Sequence, residues 1–485
     1  MTKRHFPYVG AGLALCLLFG TQGCSLLRQI APNAEERLAD TLTQKLGDPR
    51  LTGCHVGLSV YSLDRQAWLF GQDADRRFVP ASNVKLVTSA LALTALGPGY
   101  RATTEVRLAG RRQQGVWQGT LGLVGGGDPL LSSADIDALV QGLLANGLQR
   151  FTGRVMADDS RFDPIRKGPG WMWDDAGTDD GPPISPIILD LAHLDLLIQP
   201  GALGRPVSVR PDPFTGYGTI NNQARTATGG EIVAAECRPV GGKDVFHVHG
   251  VLPPGCAPVR ATVTVTDPAL YAATRFAEAI GRAGVGAQIT VGGSGTVAGG
   301  SLVASHTSAP VPDMVRALQK DSVNLIGEVL LKQVGAVKGG LPGSSAKGIA
   351  AAQRLLTTVG WQPETYRLVD GSGLSRYNLV SPRQLVQLLA YMETQPDVAA
   401  AYRLALPIAG VDGTLATRFR GLRDSRRITA KTGTMSGISA LSGYLETADH
   451  ERLAFSLLVN GFIGSAAPIR ATQDDLISAL AEWQR

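Results

Sequence analysis

Phe78-Val79-Pro80-Ala81-Ser82-Asn83-Val84-Lys85-Leu86-Val87-Thr88-Ser89-Ala90 is the stretch on which the reading of this chain turns. Pro80 ends an extended segment, and Ser82 then opens a helix. Leu86, Val87, Ala90, Leu91 and Leu93 follow at spacing close enough to helical to bury one side. Ser82 and Lys85 stand three residues apart, so a helix puts both side chains on one face. A serine hydroxyl is a poor nucleophile until a base takes its proton. Lysine serves as that base only if burial or a second cation pulls its pKa well below the usual ~10.4. Taken alone, Ser-x-x-Lys is more often a helix cap followed by a solvated lysine. Ser344-Ser345-Ala346-Lys347 repeats the pattern; it follows Pro342-Gly343 and reads as an ordinary helix start. Partners elsewhere in the chain must separate the two.

Composition sets the surroundings of that stretch. The chain has 485 residues, enough for two or more cores. Apolar content of 44% and charged content of 18% fit a folded protein. The formal charge is only +5, and no basic cluster is interleaved with aromatics, so nucleic acid is not an expected partner. Lys3, Arg4 and His5 precede an apolar run over 9–19, and residues 1–23 read as an export signal too short for a membrane span. Cleavage before Cys24 would leave a lipid-bearing cysteine, although Thr21-Gln22-Gly23-Cys24 lacks a leucine three positions earlier. Lipid anchoring through Cys24 and simple secretion both stay open. Export implies an oxidising compartment, and Cys237 with Cys256 is the expected disulfide. Cys54, beside a strand pattern, reads as a buried free thiol. His247-Val248-His249 places two imidazoles on one side of a strand without a third ligand, so no metal is expected. Gly125-Gly126-Gly127-Asp128-Pro129 is a turn cluster rather than a dinucleotide loop, and no phosphate loop occurs; no cofactor is expected.

Along the chain, 33–46 reads as a helix and 55–62 with 67–71 as a hairpin. The Ser82 helix follows and ends near Gly97-Pro98-Gly99. From about residue 100 strands dominate, at 103–108, 116–124 and 153–157, with helices at 134–145 and 268–283. A loop over 165–190 carries Trp171 and Trp173 beside Asp174, Asp175, Asp179 and Asp180. It reads as a loop anchored by buried indoles, or as a rim that meets substrate. Helices return at 311–330, interrupted at Lys320-Asp321-Ser322-Val323-Asn324, and continue at 346–358 and 382–392. A short strand is expected at 366–369, an antiparallel sheet at 427–431, 439–447 and 452–459, and a last helix at 472–483. The two ends share one texture, and a strand-rich block of roughly 200 residues separates them, large enough for its own core. The expected fold is mixed α/β (α+β): an antiparallel sheet flanked by helices, formed by 24–98 and 304–485, with 99–303 inserted, whether as one unit or two.

Lys431-Thr432-Gly433-Thr434 ends a strand. With Ser82-x-x-Lys85 and Ser322-x-Asn324 it completes the three-part set known from penicillin-binding proteins and class A β-lactamases. Each part is weak alone; the order and the local structure make the set specific. Order also removes Ser344, which lies after Ser322. The chemistry explains the residue types. Lys85, desolvated and near Lys431, takes the Ser82 proton, and Ser82 forms an acyl-enzyme. The N–H groups of Ser82 and Thr434 hold the oxyanion. Ser322 passes a proton to the leaving amine, and Asn324 orients Lys85 and holds a substrate amide. Lys431 and Thr432 bind a terminal carboxylate, and Gly433 lets the substrate backbone lie against the strand.

At these residues the chain resembles the class C low-molecular-mass penicillin-binding proteins. The resemblance also covers Gly127-Asp128-Pro129, Pro169-Gly170-Trp171-x-Trp173-x-Asp175 and Asp370-Gly371-Ser372-Gly373-Leu374-Ser375-Arg376. It implies a serine β-lactamase/DD-peptidase-like catalytic domain with a large insertion between its first two motifs. It implies an exported, periplasmic D-alanyl-D-alanine carboxypeptidase/endopeptidase that acts on peptidoglycan stem peptides and is acylated by β-lactam antibiotics. It also implies that Asp175 and Arg376 hold the charged end of a diaminopimelate side chain. Val323 stands where such proteins often have Asp. Two alternatives remain: a serine β-lactamase, for which no glutamate motif that activates water is assignable, and a non-catalytic wall-binding protein of the same fold.

Overall fold

The computed structural model describes residues 33–485 apart from 176, 177, 179, 293, 294 and 298. The expected export segment 1–23, Cys24 and Asp179 lie outside the described residues. The first helix, α1 (Ala34–Leu46), starts at an Asn33 cap whose side chain accepts the Glu36 N–H, while Glu36 accepts the Asn33 N–H. That exchange satisfies two of the amides a helix start leaves open.

The central sheet joins both ends of the chain. Its strands are β1 (His55–Ser62), β2 (Ala67–Gln72), β3 (Ile428–Met435), β4 (Ile438–Glu446) and β5 (Arg452–Asn460). They lie antiparallel in the order β3-β4-β5-β1-β2, with His55 opposite Asn460. β4 and β5 are buried almost throughout, because successive side chains feed two different cores. Ala440 and Tyr444 face one core; Leu441 and Leu445 face the other. The second of these is closed by α1 and the C-terminal helix.

The first core is built around α2 (Val84–Ala95). All of Val84–Leu93 is buried, so the one-sided burial expected from the sequence is corrected. α2 is enclosed by other helices rather than laid on a surface. Each fully buried Leu or Val there contributes roughly 1.5–3 kcal/mol.

After α2 the chain enters the strand-rich region. A five-stranded sheet runs in the order Gly286–Val291, Arg150–Asp158, Val116–Val124, Thr103–Gln113, Ser301–Thr307. Its helices are α3 (Ser133–Ala145) and α4 (Pro268–Arg282). Thr103 pairs with Thr307, and Ala102 exchanges hydrogen bonds with Ser308, so the region leaves and returns at one point. Smaller sheets occupy 193–264 and share a core with this sheet and with Leu325 and Val329.

The remaining helices are α5 (Val311–Lys320), α6 (Asn324–Gly339), α7 (Ser345–Val359), α8 (Pro382–Glu393), α9 (Ala399–Ala405) and α10 (Ala467–Glu482). The polar interruption at 320–324 thus joins two helices, with Ser322 at φ +61°. Ser344 caps α7, and Lys347 donates to the Gly340 and Pro342 carbonyls, so the second Ser-x-x-Lys is a helix start. The expected strand at 366–369 is reduced to one bridge between Arg367 and Leu379. The Val369 N–H goes instead to the Asn378 side chain, which turns the chain away.

Cys237 and Cys256 are separate thiols, which corrects the expected disulfide. Cys237 points inward from the strand Ala234–Val240 toward Asp244, and burial pushes its thiol pKa up. Cys256 sits in the turn that follows Val251–Leu252.

Candidate active site

Ser82 lies in a 3₁₀ turn (Ala81–Asn83) just before α2, not on the helix itself. Ala81 has φ +46°, a conformation L-residues rarely hold. Gly373 packs on its carbonyl, and the Asn83 side chain donates to the Lys431 carbonyl at 3.2 Å. This fastening presents the half-buried Ser82 hydroxyl to the cleft.

Lys85 is completely buried at the start of α2. Its Nζ lies 2.8 Å from Ser82 Oγ, 2.6 Å from Asn324 Oδ1 and 2.8 Å from the Ser372 carbonyl oxygen. Burial lowers its pKa to about 7, against the opposing pull of Asp370, Glu328 and Asp180. The amine therefore has lone-pair character near neutral pH while three acceptors fix its direction. Gln319 supports α2 from behind, its amide donating to the Lys85 carbonyl and to Ser89 Oγ.

The other two motifs close on the same point. Asn324 is the first residue of α6, and its Nδ2 donates to the Asp180 carbonyl at 2.8 Å. Lys431, on β3, donates to Ser322 Oγ at 2.9 Å. Burial holds Lys431 well below the ordinary lysine range, and the Lys85 amine adds to the effect. β3 is an edge strand of the sheet. Ala430 N–H and the Ile428 carbonyl bond outward to 407 and 409, so strand alternation turns the Thr432 and Thr434 N–H groups outward too. A Cβ on Gly433 would lie 3.0 Å from the Ser82 nitrogen, which shows how closely β3 approaches the nucleophile.

Ser82, Ser322, Asn324 and Gly433 line one cleft of about 500 Å³, with Lys85 and Lys431 buried behind it. Asp175 and Arg376 stand on its wall with Thr432, Gly433 and Thr434. Asp175 accepts the Met172 N–H, and Arg376 donates to the Ser436 carbonyl. The two tryptophans differ. Trp171 is an anchor, its indole N–H donating to Asp370 at 3.1 Å; Trp173 is 88% exposed.

Four contributors were not singled out from sequence. Ser372 offers a backbone carbonyl, which no residue type announces. Thr414 accepts from Thr432 Oγ1 at 2.7 Å and comes from a separate loop. Gln319 and Glu328 are buried polar side chains inside helices. Glu328 had a signal, a lone carboxylate within the apolar run Leu325 to Leu331.

Gly373 gives a direct test of the packing. It has φ +86°, and an added Cβ would lie 2.0 Å from the Ala81 carbonyl oxygen. Gly373→Ala must therefore push the Ser82 turn aside. Covalent labelling by a penicillin probe is expected to slow about 10²-fold, the usual consequence of an ångström-scale misplacement. Unchanged labelling would show that the turn is not held from this side.

Residues 38–483 match the family model described as the D-Ala-D-Ala carboxypeptidase 3 (S13) family. The D-alanyl-D-alanine carboxypeptidase of Actinomadura sp. (strain R39) is 36% identical over 464 residues, covering 92% of this chain and 85% of that protein. D-alanyl-D-alanine carboxypeptidase DacB of Haemophilus influenzae is 28% identical over 432 residues, covering 87% and 88%. The crystal structure of penicillin binding protein 4 from Haemophilus influenzae matches with a TM-score of 0.79 at 25% identity, over 92% of this chain and 99% of that one. The mixed α/β fold expected from sequence is thus the fold observed. On the family match and the Actinomadura relative together, the chain belongs to the D-Ala-D-Ala carboxypeptidase 3 (S13) family.

Proposed function

We propose that Ser82 is the nucleophile of a D-Ala-D-Ala carboxypeptidase reaction on peptidoglycan stem peptides, with Lys85 as its base. The observation that carries this reading is the buried Lys85 amine 2.8 Å from Ser82 Oγ. Lys85 takes the hydroxyl proton as Oγ attacks the carbonyl of the penultimate D-alanine. The oxyanion is held by the Ser82 and Thr434 N–H groups. Ser322 gives its proton to the amine of the departing D-alanine and takes one from Lys431, which donates to it, and the C–N bond breaks. Water then releases the acyl group by the reverse sequence. Thr432 and Lys431 receive the terminal carboxylate, Asn324 the substrate amide, and Gly433 the peptide backbone.

A β-lactam offers the same carbonyl, and its opened ring stays tethered after attack, so the adduct persists. A cross-link between stem peptides has a D-alanyl bond of the same kind and suits the same cleft. Asp175 and Arg376 meet the charged end of a diaminopimelate side chain. The catalytic unit comprises 24–98 and 304–485, with 99–303 inserted. The protein works in the periplasm, with Cys24 as its candidate lipid attachment point; the intact mass of the mature chain reads whether lipid is present.

The test is digestion of purified muropeptides followed by mass analysis. Monomers ending in D-Ala-D-Ala are expected to lose one alanine, and cross-linked dimers to open. Stem peptides with a free diaminopimelate carboxylate and amine should turn over faster than amidated ones. Rapid turnover of a chromogenic cephalosporin with no action on either muropeptide would overturn the reading in favour of a β-lactamase.

A further inference from the structure

The group that fixes the Ser372 carbonyl against Lys85 is a carboxylate outside the three motifs. Glu328 lies one helical turn after Asn324 on α6 and is completely buried. Its Oε1 accepts the Gly371 N–H at 2.9 Å and the Ser372 N–H at 2.8 Å. The helix and the turn meet backbone to backbone: a Cβ on Gly371 would lie 2.4 Å from the Gly327 carbonyl oxygen. Two glycines facing each other let the turn descend far enough for Glu328 to reach it. Glu328 Oε2 has no hydrogen-bond partner among the described residues. α6 therefore bears on Lys85 twice, directly through Asn324 Oδ1 and through the turn by way of Glu328.

We propose that Glu328 is a positioning residue for acylation: it clamps the 371–372 amides so that the Ser372 carbonyl aims the Lys85 amine at Ser82, and its own proton is linked to the one on Lys85.

The charged groups around Glu328 are few. Lys85 and Asp370 lie beyond the turn, and Lys332 follows one turn later on α6, paired with Asp163. Asp370 accepts from the Gly373 and Ser375 N–H groups, Asn378 and Trp171. Burial and then Asp370 raise the Glu328 pKa to about 8, and the Glu328 carboxyl in turn raises the Lys85 pKa. When Glu328 loses its proton, the new negative charge makes Lys85 hold its own more firmly. The reverse also follows, since loss of the Lys85 proton removes a nearby positive charge. Two protons leaving in this mutually hindering way spread the acid side of the pH profile beyond that of one group.

The inference rests on Ser82 and Lys85 acting as proposed, and the experiment separates the two. Acylation by a labelled penicillin is followed against pH in wild type, Glu328→Gln and Glu328→Asp. Failure of the wild type to label would sink the Ser82 reading itself. Given labelling, the wild-type acid limb should be drawn out. Glu328→Gln keeps an acceptor oxygen but has no proton to exchange. Its limb should narrow, with the midpoint lower by about one pH unit. Glu328→Asp keeps the ionisable carboxyl but withdraws it from the two amides. Its acylation rate should fall about tenfold, with the limb still drawn out and KM for the peptide little changed. A limb of wild-type shape in Glu328→Gln, or a wild-type rate in Glu328→Asp, overturns the proposal. If Glu328→Gln does not fold, the rate of Glu328→Asp decides.

Discussion

A Ser82→Ala protein is expected to form no covalent adduct with a labelled penicillin and to lose at least about 10⁴-fold in release of D-alanine from a D-Ala-D-Ala peptide. The substitution removes a single oxygen at the mouth of the cleft. Lys85 keeps Asn324 Oδ1 and the Ser372 carbonyl as acceptors, so the amine stays where it is. Asn83 still ties the turn to Lys431, and α2 remains enclosed. Thermal unfolding should therefore move by no more than a surface substitution would move it. The readouts are gel fluorescence after incubation with the probe, intact mass, and a coupled D-alanine assay. A labelled Ser82→Ala protein would assign the nucleophile elsewhere and end the mechanism given above.

Lys85→Met should lower acylation by about 10²–10⁴-fold, the range general-base catalysis supplies. Methionine fills nearly the same volume without an amine. The wild-type rate should climb as pH rises through about 7, where the buried amine gives up its proton. The sign follows from the cause: burial disfavours the ammonium form, so the neutral base appears several units earlier than in a solvated lysine. In Lys85→Met that rise should vanish, leaving a low rate that depends on hydroxide alone. Lys85→Arg separates charge from base, because guanidinium keeps its proton at every accessible pH. It should be as slow as the methionine variant. A limb in Lys85→Met that rises and then levels off, as a titrating group would make it, would assign the base to another group, and Lys431 is then the one to examine.

The three motifs were legible because each couples a residue type to a local structure. Ser82 and Lys85 are close in sequence, and Lys431-Thr432-Gly433 ends at a turn. The antiparallel sheet was legible through the alternating runs at 427–431, 439–447 and 452–459. What stayed hidden was contact made by backbone or by packing. The Ser372 carbonyl has no signature in the alphabet of side chains. Glu328 lies on a helix enclosed all round over 324–336, and one-sided periodicity cannot report enclosure; Gln319 lies on the buried face of α5 among apolar neighbours. The Cys237–Cys256 expectation failed for a related reason. Separation along the chain gives no direction, and Cys237 faces into its own sheet toward Asp244. Trp171 and Trp173 stand two positions apart in one motif, yet only Trp171 reaches Asp370.

Helix α6 carries one more implication. Asn324, Glu328 and Lys332 occupy successive turns, about 6 Å apart along the axis. The last of them grips Asp163 and the Ile165 carbonyl at 2.5 Å each, and the neighbouring Gln333 accepts from Arg161. One stiff rod thus runs from the outlying block to the amide that touches the base. Trimming or reshaping that block would therefore remove the partners that hold the far end of the helix bearing Asn324.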